Sequence, residues 1–381
     1  MVKRSERMPI FIDRRMDQYP TCWNRAKLTG LVEEAAKRRI KCYFVGSRED
    51  VLTYADELQR EPSSLVLFLA SNEEPSNLLS EYVGLPLSPI VFAHHIHNML
   101  EDEFSYVMSD LAGAMREAVG LLKARGCRHL ALFAVDFKSN HDICRVESFK
   151  RIYGTEEPLV FDLGNGLVDC ISELVSCRDR IDGLICINDF CALPLMRVLD
   201  RLDPDWNAKM LMLGFSDTTL AALHKPALTS VSLNYEDGGR AVVRLHRMLA
   251  KHEDMAHLHF IMKSSLLLRD TTEAAFPPGM RFSEMTPVSD AEIFRLICTR
   301  KHFMMLENLL NYADTVTLRL MLGLMDGKTA DSISKELFIS KDGLLYHLRK
   351  LKSAFGMENA KEIAAFLCTW INRDALESYI H

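Results

Sequence analysis

Residues 182–201 read DGLICINDFCALPLMRVLDR and show most clearly the pattern on which the fold prediction rests. The apolar run at residues 183–187 is short, and the polar pair Asn188 and Asp189 follows it at once. Apolar residues with helical spacing resume after that pair and extend over residues 191–201. A buried strand that leads directly into a helix produces this pattern, and such units build parallel sheets. We therefore predict one strand–helix unit of a parallel α/β sheet here.

The same pattern recurs on both sides of this stretch, between residues 9 and 269. The predicted strands cover residues 10–12, 41–45, 65–69, 90–92, 130–135, 159–161, 183–187 and 210–214. The predicted helices cover residues 25–39, 111–125, 143–153, 167–177 and 191–201. Each helical stretch is long enough to cross over between parallel strands. The alternation therefore predicts an α/β fold with parallel sheets.

Composition and charge restrict the class of protein. The 381 residues exceed one small module, because a domain averages about 150 residues. Apolar residues make up 48% and charged residues 26% of the chain, which allows a sizeable core and argues against bulk disorder. The net charge of −6 gives the whole chain no cationic field for nucleic acid or an anionic membrane. Any basic surface must therefore be local.

The cysteines and the N-terminal residues indicate a location. The ten cysteines contain no CxxC pair and no zinc-ligand cluster, so we expect reduced, mostly packed thiols. The first residues, MVKRSERMPIFIDRR, lack the apolar run of a signal peptide. No later segment approaches the roughly 18 uninterrupted apolar residues of a membrane span. We expect a soluble, cytoplasmic protein that does not enter a membrane.

Turn and linker chemistry separates a second domain from the α/β region. Residues 271–287 contain TTEAAFPPGM and a further Thr-Pro pair, and regular periodicity stops there. Apolar spacing over residues 290–312 then predicts one or two connecting helices. We expect an α/β domain over residues 8–272, a linker and connecting helix over residues 273–313, and an all-α domain over residues 314–373.

Polar side chains follow several of the predicted strands. Open α/β sheets bind ligands beyond the carboxyl ends of their strands, so these positions are candidates for a binding site. The ligand-binding candidates that lie after strands are Asp13, Arg14, His94, Asp136, Asn188, Asp189 and Ser216. Polar residues also occur in ordinary connecting loops, so a structural role remains the alternative for each of them.

Several segments resemble the effector domain of the lactose/galactose-repressor family, which is periplasmic-binding-protein-like. These segments are LAGAMREAVGLLKARGCRHLALF, CRVESF, DGLICINDFCA, LMLGFSD, KPALTSVSLNYEDGGRAVVRL and SSLLLRDTT. The resemblance covers residues 8–272 and implies a two-lobed fold of parallel sheets flanked by helices. It also implies that Arg145, Asn188 and Asp189 hold a small polar effector, a sugar or related metabolite, between the lobes. Guanidinium and carboxylate groups suit that role because each forms two directional hydrogen bonds.

Two positions depart from the pattern of this family. Ser216 stands where an acidic residue is usual, and Leu233 stands where a polar residue is common. The neighbouring Asp217 has a structural alternative, as the cap of a short helix at residues 218–223.

The sequence contains few features that point to catalysis or metal binding. His94, His95 and His97 have a spacing that can share a metal ion, but no Cys or acidic residue completes the set before Glu101. Lining of the ligand cleft is the alternative for one of these histidines. The sequence has no GxSxG elbow, no P-loop and no GxGxxG after a strand. We therefore expect no enzyme, no cofactor and no metal.

The C-terminal region reads as short helices joined by tight turns. A first helix is predicted over residues 316–325, and Thr329 is the expected N-cap of a second one. Ser340 is the expected N-cap of a third helix over residues 341–355. Two short helices joined by so tight a turn form a helix-turn-helix.

The run LMLGLMDGKTADSISKELFISKDGLLYHLRKLKSAFGMENAKEIAAF resembles the C-terminal DNA-binding domain of the LuxR/GerE family. The resemblance covers residues 314–371 and implies that the helix at residues 341–355 enters the major groove of double-stranded DNA. The base-facing candidates are Lys341, Leu345 and Arg349, the phosphate-facing candidates are Tyr346, Lys350 and Lys352, and His347 is a further DNA-binding candidate.

This segment also departs from the family that it resembles. Gly343 replaces a usual hydroxyl residue, and Leu345 replaces a usual basic one. Between Asp314 and Arg373, basic residues outnumber acidic residues by only nine to seven. A helical interaction domain that kept the fold and lost DNA is the alternative to a DNA-binding domain.

The two resemblances together predict a ligand-responsive transcriptional regulator. The repressor family carries its DNA-binding helices before the effector domain, whereas here the helix-turn-helix follows it. We expect a homodimer in which a small effector closes two lobes and repositions the C-terminal helices on DNA. The alternative function is a ligand-binding or protein-interaction module without DNA recognition.

Overall fold

The structure is a computed structural model of the chain. It describes residues 8–14, 21–54, 58, 63–69, 75–93, 104–155, 157–202, 204, 210–252, 254–273, 289–297 and 300–381. The chain divides into two compact units. Unit 1 consists of Met1–Val119, Val135–Pro158 and Ser232–Ser265, and unit 2 consists of Gly120–Ala134, Leu159–Val231 and Leu266–His381.

A six-stranded sheet forms the centre of the described part of unit 1. Its strands are β1 (Ile10–Asp13), β2 (Cys42–Val45), β3 (Ser63–Phe68), β4 (Leu87–Ala93), β5 (Ser105–Ser109) and β11 (His259–Met262). Their order is β11-β5-β4-β3-β1-β2, and all neighbouring pairs are parallel. Ile10 and Ile12 are buried in one apolar layer and Phe11 in the other, so the strand is covered on both faces.

Six described α-helices lie wholly or partly in unit 1. They are α1 (Cys22–Lys37), α2 (Arg48–Leu52), α3 (Pro75–Leu79), α5 (Asn140–Tyr153) and α9 (Tyr235–Lys251), and α4 (Leu111–Ala124) spans the boundary between the units. Helices α1 and α9 touch backbone to backbone. A Cβ atom added at Gly30 would lie 1.9 Å from the carbonyl oxygen of Glu236, and one at Gly239 would lie 2.0 Å from that of Lys27. Only glycine permits this approach.

A second six-stranded sheet forms the centre of unit 2. Its strands are β6 (Leu130–Val135), β7 (Leu159–Asp162), β8 (Gly183–Cys186), β9 (Leu211–Phe215), β10 (Thr229–Ser232) and β12 (Ser265–Leu267), in the order β12-β10-β9-β8-β6-β7. Strand β8 pairs in parallel with β6 and β9, and β9 with β10. The adjoining helices are α6 (Leu167–Ser176), α7 (Asp189–Leu202) and the short α8 (Thr219–Leu223).

The C-terminal helices belong to unit 2. They are α10 (Asp290–Leu296), α11 (Arg300–Tyr312), α12 (Thr315–Met325), α13 (Ala330–Glu336), α14 (Lys341–Phe355), α15 (Ala360–Trp370) and α16 (Arg373–Ile380). Helix α10 packs on α6 and α7, and α11 packs on α8. The helices that follow the first two are therefore held against the sheet-bearing part of the same unit.

The α/β fold class predicted from the sequence is confirmed, and so is the helical C-terminal region. Four strands were not predicted, namely β5, β10, β11 and β12. Each is short, and β10 reads TSVS, which lacks a long apolar run. Among the described residues, no helix is long and apolar enough to cross a membrane.

Candidate functional sites

The carboxyl ends of β8 and β9 carry the polar residues that the sequence singled out in unit 2. Asn188 follows β8, and its side-chain Oδ1 accepts a hydrogen bond from the backbone N–H of Cys191 at 3.0 Å, which caps α7. Ser216 follows β9 with a φ of 107°, a backbone conformation that L residues rarely adopt. Both side chains are half-buried, and they lie after neighbouring strands.

Asp189 is enclosed by its own chain. Its side chain is 0% exposed, and burial raises its pKa to about 7. One carboxylate oxygen accepts hydrogen bonds from the backbone N–H and the hydroxyl of Thr218, at 2.7 and 3.0 Å. The other accepts a hydrogen bond from the hydroxyl of Ser230 at 2.7 Å. These three bonds hold Thr218 and Ser230 against Asp189 and so position the loop after β9.

The cap of α8 is not the residue that the sequence suggested. Thr218 caps this helix, because its hydroxyl oxygen accepts the backbone N–H of Ala221 at 3.2 Å. Asp217 instead has a φ of 50° and accepts a hydrogen bond from the guanidinium of Arg269 at 2.6 Å. The capping prediction for Asp217 is therefore wrong, since its carboxylate is used by an ion pair that ties the turn after β9 to residue 269.

Arg145 lies in unit 1, in a buried ion pair on α5. Its guanidinium donates to the carboxylate of Asp142 at 2.9 Å, and both side chains are 9% exposed. The second oxygen of Asp142 accepts the backbone N–H of Asp136 at 3.1 Å, while the Asp136 side chain accepts the N–H of Lys138 at 2.9 Å. Burial raises the pKa of Asp142, and the Arg145 charge opposes that rise. Arg145 and Asp136 thus sit around one structured turn after β6.

The remaining candidates of unit 1 differ in exposure. Asp13, at the end of β1, is 2% exposed and accepts a hydrogen bond from the hydroxyl of Tyr82 at 2.6 Å. Arg14 is exposed to solvent. His94, together with the neighbouring histidines at positions 95 and 97, lies outside the described residues. Within the part of the chain that is described, no group of three or more His, Cys, Asp or Glu side chains could hold a metal ion.

A second buried carboxylate also binds the first turn of α8. Glu307 on α11 is 4% exposed, and its two oxygens accept the backbone N–H groups of Thr219 and Leu220 at 2.7 and 2.9 Å. Asn311, one turn later, donates to Glu307 at 2.8 Å and accepts the Thr219 hydroxyl at 3.0 Å. Burial raises the pKa of Glu307, and the N–H donors lower it. The first turn of α8 is therefore bonded to Asp189 through Thr218 and to α11 through Glu307.

Further contacts join α7 and α8 to the C-terminal helices. The ring of Phe303 on α11 stacks on Phe190 at 6.2 Å and meets the edge of Trp370 at 4.6 Å, measured between ring centroids. The carbonyl oxygen of Leu223, at the end of α8, accepts the backbone N–H of Asn372 at 2.7 Å. Both ends of α8 are thus bonded to C-terminal helices.

Helices α13 and α14 are joined by a tight turn, as the sequence predicts. Thr329 and Ser340 are the N-caps of the two helices, and the Ser340 hydroxyl oxygen accepts the N–H of Gly343 at 3.1 Å. Within the turn, the hydroxyl of Ser334 donates to the carbonyl oxygen of Ile339 at 2.7 Å. The pair packs through its apolar side chains. The buried ones are Ile333, Leu344, Leu348, Leu351 and Phe355.

The exposed side of α14 holds most of the DNA-binding candidates. Leu345 is 44% and Tyr346 is 64% exposed, and Arg349 and Lys350 are also exposed. The Lys350 ammonium lies 3.8 Å from a carboxylate oxygen of Asp314. These side chains share the outer face of the helix, where a ligand as large as duplex DNA can reach them.

Three candidates on α14 have neighbours that change their interpretation. Lys341 is exposed but forms an ion pair with Asp331 at 2.9 Å, and Lys352 is half-buried. His347 does not belong to the exposed face. Its side chain is only 16% exposed, and its Nδ1 is hydrogen-bonded to the hydroxyl of Thr317 at 2.9 Å. The His347 side chain thus joins α14 to α12 through Thr317.

The α/β part of the chain is similar to known proteins. Residues 119–272 match the family model described as a periplasmic binding protein-like domain. The HTH-type transcriptional regulator CelR of Thermobifida fusca is 24% identical over 216 residues. That match covers 54% of this chain and 62% of CelR, which is less than two thirds of the relative's length. The C-terminal helices follow the residues that the family model matches.

Solved structures share this fold. A complex of the transcriptional regulator CelR with cellobiose is 18% identical, with a TM-score of 0.53 over 69% of this chain and 83% of that chain. A LacI family regulator from Enterococcus faecium with bound ribose is 15% identical, with a TM-score of 0.53 over 71% and 100%. The lac repressor dimer bound to operator is 14% identical, with a TM-score of 0.53 over 70% and 95%. The chain therefore has the two-lobed periplasmic-binding-protein-like fold, with a C-terminal helical region.

Three residues that organise the site were missed from the sequence. Thr218 and Ser230 bind Asp189, and Glu307 binds the first turn of α8. A Thr directly before a short apolar run was a usable signal for the cap at Thr218. No signal marked Glu307, because its partners are 87 and 88 positions away in the sequence.

Proposed function

We propose that this protein is a ligand-responsive, DNA-binding regulator of transcription. A small polar effector binds at the strand ends beside Asn188 and Ser216, and duplex DNA binds along the exposed side of α14. The observation that carries the proposal is the bonding of α8. Its first turn is held by Asp189 and Thr218 from the strand-end side and by Glu307 from the helical side.

The effector class follows from the groups that remain accessible at the strand ends. Asn188 offers an amide and Ser216 a hydroxyl, and both form neutral hydrogen bonds of the kind that sugar hydroxyls make. The relatives described above were solved with cellobiose and with ribose. A mono- or disaccharide, or a related hydroxylated metabolite, is therefore the effector that we expect.

The response follows from the position of Ser216. A ligand bonded there changes the free energy of the turn formed by residues 216 and 217, whose backbone is strained. Thr218 and Thr219 carry that change directly into the bonds with Asp189 and Glu307. A ligand that favours one arrangement of the turn then favours one arrangement of α11 and of the helices after it.

The assembly and location belong to the same proposal. A homodimer is expected because one helix-turn-helix offers few contacts and two-fold operators match two-fold proteins. A cytoplasmic location is expected, and free thiols such as the described cysteines are usual there. Sedimentation at micromolar concentration tests the dimer. A monomer both free and on DNA overturns it.

Selection of bound duplexes from a random-sequence pool tests the function. The full chain is used at moderate salt, alone and with cellobiose or ribose as probes. Sequence enrichment that a saccharide alters supports the regulator. If neither condition enriches any sequence, the helical region is an interaction module and the DNA-binding proposal fails.

Charge variants of α14 show whether this helix is the part that binds. Arg349→Gln and Lys350→Gln are each expected to weaken binding, and a residue that meets a phosphate lowers the slope of log affinity against log salt by about 0.9. Lys361→Gln, an exposed cation on α15, is the matched control and keeps both quantities. Unchanged affinity in the α14 variants would place the DNA elsewhere.

A further inference from the structure

The turn between α13 and α14 exposes an aromatic side chain where the backbone disfavours one. Phe338 is 95% exposed and has a φ of 55°. This left-handed conformation suits Gly or Asn and is costly for a bulky residue. A ring in solvent also contributes no burial free energy to the fold. The folded chain therefore gains nothing from Phe at this position, and Asn would be more stable there.

Two exposed lysines lie near Phe338 in the sequence. Lys335 lies three positions before it, and its carbonyl oxygen accepts the backbone N–H of Phe338 at 3.3 Å. Lys341 lies three positions after it and forms an ion pair with Asp331. This ion pair is exposed to solvent, so it is a weak interaction. Tyr346, on the second turn of α14, is 64% exposed.

We propose that Phe338 packs against the sugar–phosphate backbone of the DNA that α14 binds. This inference rests on the proposed function. When a recognition helix enters the major groove by its N-terminal half, the turn before it lies beside the backbone that flanks the groove. Deoxyribose presents apolar C–H faces there. The neighbouring phosphates are negatively charged and can attract the positive charges of Lys335 and Lys341. The ring gains on DNA the burial that it lacks in the free protein.

Two cations of α13 and α14 fit a polyanion such as DNA. Asp331 and Glu336 are the acidic side chains of α13 on either side of Lys335, and each is paired, with Lys341 and Lys328 respectively. Lys335 has no acidic partner within ion-pair distance among the described residues, and neither has Arg349 on α14. Lys335 and Arg349 are therefore cations that DNA phosphates can pair with, and Asp342 is an acidic side chain at the start of α14.

Three variants of the full chain test the inference, with duplexes selected by the wild-type protein. Phe338→Asn removes the ring and relieves the backbone, Phe338→Tyr keeps the ring, and Phe294→Gln changes an aromatic side chain of α10 that is 68% exposed. Phe338→Asn is expected to bind every duplex about tenfold more weakly, from the loss of buried ring area. Its melting temperature is expected to be equal or higher. Phe338→Tyr and Phe294→Gln are expected to bind within twofold of the wild type.

The salt dependence separates this contact from an ionic one. Phe338 carries no charge, so Phe338→Asn is expected to keep the wild-type slope, whereas Lys335→Gln is expected to lower the slope by about 0.9. Wild-type affinity in Phe338→Asn overturns the inference and leaves the proposed function standing. A wild-type chain that binds no duplex overturns both. If Phe338→Asn keeps its affinity for DNA but no longer binds a second protein that the wild type binds, the ring contacts that protein instead.

Discussion

The carboxylate of Glu307 accepts the backbone N–H of Thr219 at 2.7 Å, across 88 positions of sequence. The same carboxylate accepts the N–H of Leu220, so it binds two of the N–H groups that the first turn of a helix leaves without partners. A negative charge at a helix N-terminus is also favoured by the helix dipole. The C-terminal helices are therefore held to the α/β part of unit 2 by a directional polar contact as well as by apolar packing.

Removal of this carboxylate is expected to destabilise unit 2. Glu307→Ala leaves the N–H groups of Thr219 and Leu220 without an acceptor in a buried place, at a cost of about 1–3 kcal/mol. Glu307→Gln keeps one oxygen acceptor and should cost less. Urea denaturation of the full chain, followed by circular dichroism, measures the difference.

Glu358→Ala is the matched control for this prediction. Glu358 also lies in the C-terminal helical region but is exposed. Its replacement should change the free energy of unfolding by less than about 0.5 kcal/mol. Equal effects of the changes at 307 and 358 would show that the contact with Thr219 contributes nothing.

The surroundings of two glycines predict opposite effects when each is replaced by alanine. Gly30→Ala places a Cβ atom 1.9 Å from the Glu236 carbonyl oxygen, so the helices must separate, at a cost of about 1–3 kcal/mol. Gly120→Ala meets nothing within 4 Å on the exposed side of α4 and should stabilise by about 0.5–1 kcal/mol. Thermal denaturation of both variants checks the signs. A neutral Gly30→Ala would contradict the close packing.

Lys27 predicts a pH dependence of stability in unit 1. Its side chain is 1% exposed, its Nζ lies 4.8 Å above the centroid of the Phe92 ring, and burial lowers its pKa from 10.5 to about 7. A lowered pKa means that the unfolded chain binds more protons between about pH 7 and 10.5. Stability from this residue is therefore greatest above pH 10.5 and declines as the pH falls towards 7.

Lys27→Met tests this sign. The apolar side chain avoids burial of a charge, so the variant should be about 1–3 kcal/mol more stable than the wild type at pH 7. Its advantage should shrink at pH 9.5, where the wild-type amine is neutral in the folded state. Urea denaturation at both pH values decides it, and a constant difference would mean that the amine stays charged in the fold.

Replacement of Arg145 is expected to lower the stability of the fold, whereas replacement of Ser216 is expected to weaken ligand binding. Arg145→Ala leaves the buried Asp142 carboxylate without its guanidinium and should destabilise by roughly 3 kcal/mol, whether or not Arg145 binds ligand. Ser216→Gly removes a hydroxyl while accepting the φ of 107°, so the fold should keep its stability. Any melting-temperature rise that cellobiose or ribose produces in the wild type should be reduced in Ser216→Gly. An unreduced rise removes Ser216 from the site.

The sequence alone was sufficient to predict features that depend on residues close together in the chain. The strand at Leu130–Val135 was predicted with its observed bounds, and the caps at Thr329 and Ser340 were confirmed. A cap bonds a backbone N–H three positions away, and a buried strand is a continuous apolar run, so both leave a local pattern. Edge strands such as His259–Met262 alternate in exposure and are short, which is why they were missed.

Local pattern therefore determined the α/β class, the helical C-terminal region and the tight turn between α13 and α14. Tertiary structure decided what the polar side chains do. That Asp189 holds a ligand and that His347 binds DNA remain predictions, and only the structure shows that Asp189 is bonded to Thr218 and Ser230 and His347 to Thr317. The physical reason is that a hydrogen bond between side chains far apart in sequence imposes no periodicity on either segment. Burial, which decides whether a carboxylate meets ligand or its own chain, exists only once the sheets and helices have packed.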